Sequence, residues 1–346
     1  MKGLKAGKLD SDMLKEIVID QIRLKRPEVR VRAGIGEDCA VVAFGNYDCV
    51  ISTDPITADV NDIGRLSIHI SCNDIASNGI APLGIMLAVM LPVGTTKEDI
   101  QTIMAQAARA AEAAGVEIIG GHTEITGAVN QPVIVSTAFG RALNGESQSA
   151  GDMKPGDHIL LTKTAGLEGT GIIATDKKEQ LASVLTEQEL SEAASLLDQV
   201  SVVPEGVIAG RIGTSGMHDV TEGGVLGAVW EICQIAGLGA VIDVEKIPVL
   251  DVTKKISGHF GIDYLRLISS GCMLIAASEK NAAEILRQLK EAGITATEIG
   301  RVTGKGEPVK AIRVPEALRQ DVGEKIEGED AWTVRPPEAD ELYKVV

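Results

Sequence analysis

The run of apolar and polar positions predicts alternating helices and strands from Ser11 onward. Ser11 can cap a helix whose Leu14, Ile17, Val18 and Ile22 share one face; Pro27 closes it, and a Gly/Lys arm precedes it. Residues 39–44 and 49–53 read as the strands of a hairpin turned by Gly45-Asn46-Tyr47-Asp48. Over 63–78 the spacing of Leu66, Ile70, Asp74 and Ser77 predicts a helix with polar groups partway along one face, stopped by Gly79 and Pro82. A strand over 85–91 leads to Thr96-Lys97-Glu98-Asp99, a capping-box start for a helix that Gly115 ends. Strands over 116–119 and 132–139 complete a first α/β domain. A Gly/Ser/Asp-rich stretch over 144–155 precedes a new strand at 158–163. Beyond it the pattern predicts helices at 189–199, 203–210 and 225–236, and strands at 239–243, 272–277 and 296–302, with a Gly-rich segment at 216–224. The expected organisation is a first domain over 1–148, a second over 149–320 and an irregular, Pro-rich, acidic tail over 321–346.

A chain of 346 residues suits two cores, since domains hold about 100 to 200 residues each. Aromatics are only 2% and Gly numbers 38, so packing rests on Val, Ile, Leu and Ala, and stacking platforms for bases are not expected. A formal charge of -16 with no dense Lys/Arg run repels nucleic acid and anionic lipid. A mononucleotide stays compatible, because cations held by carboxylates reverse the local sign. The N-terminal residues are too polar for a secretory signal, and the apolar run over 84–93 is too short for a membrane span of roughly 20 residues, which predicts a cytoplasmic protein. Five scattered cysteines without a CxxC pair indicate neither a disulfide framework nor a zinc knuckle.

Chemistry gathers in short clusters of small and acidic residues: Gly34-Ile35-Gly36-Glu37-Asp38, Ser52-Thr53-Asp54, Asn73-Asp74 and Gly120-Gly121-His122-Thr123-Glu124. Carboxylates and amide oxygens are what hard cations such as Mg²⁺ prefer, and Gly admits backbone N–H groups close to phosphate oxygens. Turn chemistry alone accounts for any one of them; their recurrence at the ends of core elements points to a metal–nucleotide pocket. In the second domain Ser215 to Gly224 runs into a helix start, where amides and the helix dipole attract phosphate. There His218 is a candidate acid or base, Asp219 a candidate metal ligand, and a capped helix start the structural alternative. Neither a GxxxxGK[ST] loop nor a spaced dinucleotide fingerprint is present, and His69 and the other histidines show no HExxH-like pairing.

Taken in order, Gly36-Glu37-Asp38, Ser52-Thr53-Asp54, Asp62-Ile63-Gly64, Asn73-Asp74, Gly120-Gly121-His122-Thr123, His218-Asp219-Val220-Thr221-Glu222-Gly223-Gly224 and Ser269-Ser270-Gly271 form a collinear series. The series resembles the aminoimidazole ribonucleotide synthetase superfamily, which includes selenophosphate synthetase, thiamine-monophosphate kinase and the hydrogenase-maturation carbamoyl dehydratase. The resemblance implies a PurM-like two-domain α/β fold: an N-terminal domain whose strands join a shared barrel in a homodimer, and a larger C-terminal α/β domain, with ATP and Mg²⁺ between them. Carried over residue by residue, it implies metal binding by Asp38, Asp54, Asp74 and Asp219. It also implies nucleotide contacts from Gly36, Thr53, Asn73, Gly120, Gly121, Thr123, Gly223 and Gly224, with Lys8 folding over the phosphates and His218 or His122 shuttling protons. The implied activity is phosphorylation of a carbonyl, amide or similar oxygen of a small substrate, the alternatives being a small-molecule phosphate kinase and a non-catalytic nucleotide-binding dimer. Ser269-Ser270-Gly271 is most similar to the hydrogenase-maturation branch, although the sequence ends in Leu342-Tyr343-Lys344-Val345-Val346 without that branch's terminal cysteine.

Overall fold

Two mixed sheets, each with its own helical cover, organise the chain; the computed structural model describes residues 9, 11–57, 62–337 and 339–346. The first domain comprises α1 (Ser11–Ile17), β1 (Val29–Val31), β2 (Ala40–Phe44), β3 (Tyr47–Thr57), α2 (Ile63–Ser77), β4 (Pro82–Pro92), α3 (Lys97–Ala114), β5 (Glu117–Thr126) and β6 (Val133–Leu143). Its strands lie in the order β1-β2-β3-β6-β4-β5, and only β4 and β5 run parallel. Period-two alternation turns Val50, Ile85, Leu87 and Ile134 to one face, where Ile68, Cys72 and Ile75 of α2 and Ile103 and Ala107 of α3 cover them. The two helices approach so closely at Gly64 that a Cβ there would stand 2.1 Å from the Ile103 carbonyl oxygen. Thr96 and Asp99 exchange hydrogen bonds in a capping box that starts α3, and Gly115 ends it in the left-handed region, as the sequence predicts.

Among the described residues this sheet is open, with β1 and β5 at its edges, so no barrel closes within one chain. Its uncovered face carries exposed Leu83, Met86, Ile119 and Ile125. β5 is also longer than predicted: it continues through Gly120 to Thr126, because β4 supplies a hydrogen-bonding partner along its length that no local signal announces.

The second domain contains β7 (His158–Thr162), α4 (Leu167–Asp176), α5 (Lys178–Leu181), α6 (Glu187–Ser195), α7 (Val203–Ile212), β8 (Gly216–Asp219), α8 (Gly224–Ala236), β9 (Leu238–Asp243), α9 (Asp251–Phe260), β10 (Met273–Ala277), α10 (Glu279–Glu291), β11 (Ala296–Lys305), β12 (Val309–Ile312), α11 (Arg319–Val322), β13 (Gly323–Lys325) and β14 (Ala331–Val334). The order is β13-β14-β12-β9-β11-β7-β10-β8. β7 and β10 are buried at every position, which explains the apolar Ile159–Leu161 of β7 and the unbroken apolar sequence of β10. The irregular tail expected over 321–346 is not found: β13 and β14 extend this sheet, and Trp332 is buried in the core with the Arg319 and Lys325 cations over its ring. Prolines and acids read as loop locally, but the ladder with β12 overrides them. Likewise Gly216 to Asp219 is a strand held by β10, so the Gly-rich segment becomes a loop only after Asp219.

Candidate metal–nucleotide site

α2 belongs to the first domain yet touches the second along much of its length. Its Asn73 is fully buried; Nδ2 donates to the Val200 carbonyl and Oδ1 accepts from the Val202 amide, both at 2.8 Å. These two bonds clamp one domain to the other, since buried polar groups need partners.

One residue later, Asp74 faces the opposite way into a knot of carboxylates. Ser52 on β3 donates to its Oδ2 at 2.5 Å, and its carboxyl also bonds Asp54. Burial, then the nearby charges of Asp219, Asp54 and Asp38, push its pKa well above the ordinary aspartate value. The four acids named from sequence thus converge from β3, α2, the loop before β2 and the end of β8. Oxygen atoms of Asp38 and Asp219 and a ring nitrogen of His218 lie within 4.8 Å of one another, a spacing a cation can bridge. Such a set fits a hard divalent ion: oxygen donors dominate, and the carboxylates crowd a buried setting where His218 offsets only part of their charge.

His218 is the charge that offsets this knot. Burial alone would lower its pKa, but the Asp38 and Glu231 carboxylates raise it well above the histidine norm. Nδ1 meets Asp38 Oδ2 and Nε2 meets Glu231 Oε2, each at 3.0 Å. With both nitrogens held by carboxylates, the imidazolium is poorly placed as the free acid or base expected from sequence. Glu231 was not anticipated, although a lone charge within the apolar α8 sequence Gly224–Ala236 is itself a signal.

The remaining expected contacts scatter. Gly36, at φ 77°, packs its turn against Ile235 of α8 and so brings Asp38 to His218. Thr53 alternates away from Ser52 and Asp54 and bonds Ser136 and Thr137. Gly120 to Thr123 lie exposed on β5. Gly121 pairs with Leu87, Leu87 with Ser136, and Ser136 with Asp54, which puts about 14 Å between Gly121 and the acids at about 4.8 Å per strand. His122, bonded at 3.2 Å to Glu124, is equally remote, so within one chain it serves no proton at the acid knot. A Cβ at Gly121 would stand 1.9 Å from the Leu87 oxygen, which explains the glycine without a nucleotide. Beside it Leu87, Val89, Met104 and Ile118 line a recess of 290 Å³. Gly223 donates its N–H to Asp340 at 2.7 Å and Gly224 donates to the Thr221 carbonyl, so the amides expected for phosphate are engaged within the chain. Lys8 lies outside the described residues.

Residues 36–142 match the model of the N-terminal domain of AIR synthase related proteins, and residues 154–312 match its C-terminal domain. The chain belongs to the AIR synthase-related family. It is 28% identical to the carbamoyl dehydratase HypE of Rhodobacter capsulatus over 306 residues, covering 86% of this chain and 87% of that protein. To the selenide, water dikinase of Enterobacter sp. it is 26% identical over 322 residues, covering 83% and 88%. Among solved structures, HypE from a HypE–HypF complex superposes with a TM-score of 0.73 at 25% identity, covering 94% of this chain and 99% of that one. The two-domain PurM-like fold is therefore shared, and among the described residues no helix is long and apolar enough to cross a membrane.

Proposed function

We propose that this AIR synthase-related protein is an ATP- and Mg²⁺-dependent enzyme that phosphorylates an oxygen of a small substrate. The observation that carries the reading is the convergence of Asp38, Asp54, Asp74 and Asp219 at the domain junction, where Asp74 is too buried to ionise without a compensating cation. Bound there, Mg²⁺ would neutralise charge on the triphosphate. Asp38, Asp54, Asp74 and Asp219 hold that charge in place, Ser52 and Ser77 orient two of the carboxylates by hydrogen bonds, and the buried setting keeps water from weakening them. Phosphoryl transfer asks for positioning and electrostatics rather than covalent help, which suits a site rich in acids and poor in nucleophiles. The relatives named as carbamoyl dehydratase and selenide, water dikinase support the class without fixing the acceptor.

A homodimer belongs to the same reading. The open edge at β5 and the apolar face bearing Met86, Ile119 and Ile125 are what a second copy would cover, and docking would bring the partner copy's strand toward the nucleotide. Isothermal titration with a nonhydrolysable ATP analogue tests the main claim. Binding is expected with Mg²⁺ and at least a hundredfold weaker with chelator; equal affinity in both conditions would reject the metal site. Sedimentation of the full chain tests the pairing, with a dimer expected.

A further inference from the structure

Glu231 is the sole charged residue of α8, Gly224–Ala236, and its side chain is only 17% exposed. A charge kept in such a helix needs a partner, and here the partner is the His218 ring, whose Nε2 lies 3.0 Å from Glu231 Oε2. The other ring nitrogen meets Asp38 Oδ2, also at 3.0 Å, and Ser77 Oγ approaches that same oxygen at 3.0 Å. Ionised carboxylates only accept, so both ring nitrogens donate and the imidazole is fixed between two acids. This chain of contacts runs from α8 through the end of β8 to the loop before β2, and so crosses from the second domain to the first.

The same helix holds that loop by packing. A Cβ at Gly36, two residues before Asp38, would stand 3.1 Å from Ile235 Cδ1 and 3.5 Å from the Glu231 carbonyl oxygen. The turn therefore rests on the part of α8 that carries Glu231 and Ile235, one helical turn apart. The bonds to the Asp38 carboxylate fall on Oδ2, which leaves Oδ1 for a cation.

Charge gives the pair a second property. A lone imidazolium beside Asp38 would compete with a divalent ion, because charges at contact distance interact strongly in a buried site. Glu231 supplies the opposite charge, so the two residues together orient Asp38 and add nothing to the net charge around the acids.

We propose that Glu231 is a positioning residue for the metal site: by holding Nε2 of His218 it fixes the ring against Asp38 Oδ2 and keeps Oδ1 available to the divalent cation. It acts through His218 rather than as a ligand. This rests on the metal-dependent reading above and adds that the site is complete only when the second domain meets the first.

Titration of the full chain with Mn²⁺, followed by the EPR signal of the free ion, tests this, since Mn²⁺ takes the oxygen donors that suit Mg²⁺. Glu231→Leu removes the support for the ring and is expected to weaken Mn²⁺ binding about tenfold or more, the loss typical when a ligand's outer partner is taken away. The amide in Glu231→Gln can accept from Nε2–H or donate to the bare nitrogen, so it holds the ring in either form and should stay within about threefold of native. His218→Gln interrupts the chain at its middle, and Glu231→Leu added to it should cost less than about a further twofold. Melting without metal controls for folding; should Glu231→Leu melt far below the native chain, Glu231→Ala takes its place with the same expectation. Native affinity in the leucine variant, an equal loss in the glutamine variant, or the same loss with and without His218 would overturn the positioning role and leave the metal site standing. Absence of Mn²⁺ binding by the native chain would overturn both.

Discussion

The two ends of α2 pose opposite electrostatic problems. At its C-terminal end, carboxylates from four segments crowd together, and among the described residues His218 is the cation seen to answer them. In its N-terminal half, Arg65 and nearby Lys163 each have a carboxylate partner, and the unanswered group is a single acid close to neutrality. The first environment attracts a cation; the second holds a proton. α2 keeps the two environments apart while both domains close on it, and Asn73, next to Asp74, ties it to the second domain.

The largest effect is expected from breaking the acidic end. Asp219→Asn should weaken Mg²⁺-dependent binding of an ATP analogue about a thousandfold, or about 4 kcal/mol, measured by titration calorimetry. Retained affinity would place the metal elsewhere.

Next comes the clamp between the two regions. Asn73→Ala leaves the buried Val200 carbonyl and Val202 amide without partners, at about 1–3 kcal/mol each, so the urea midpoint should fall by an amount equivalent to about 4 kcal/mol. Separate melting of the two domains would be a second sign of the lost clamp.

At the proton-holding end, stability itself should report Glu168. Its folded pKa, about 7, lies above the unfolded value near 4.5, so the folded state binds its proton more tightly. The associated stability is full below about pH 4.5 and is lost as pH rises to about 7, on the order of 3 kcal/mol in all. Denaturation of Glu168→Gln across that window should lack this part of the loss, the rest coming from Asp74, whose pKa burial raises well above the ordinary value, and from Asp263 and Asp340, raised to about 6.

The mildest test is Glu231→Gln. Removing one of the two carboxylates on His218 should bring the imidazolium pKa down, followed by ring-proton NMR, with a stability change of about 1 kcal/mol. An unmoved resonance would mean that Asp38 alone holds the proton.

Much of this architecture was legible in the chain. The capping box at Thr96 and the apolar runs of β7 and β10 follow from local patterning, and the converging acids stood out as carboxylates bordering apolar runs, with Asp74 inside an apolar helix. Other elements depended on distant partners. β14 exists because β12 pairs with it, and β5 runs on through its glycines because β4 lies alongside. The roles of single residues were the least visible: Asn73 clamps the second domain, His218 is locked between Asp38 and Glu231, and Glu168 is buried with one unpartnered carboxyl oxygen. Periodicity records which face of an element is apolar, and that information is local. Which carboxylate finds a cation, a proton or an amide depends on groups as many as 180 residues away, and only the folded chain brings them within hydrogen-bonding reach.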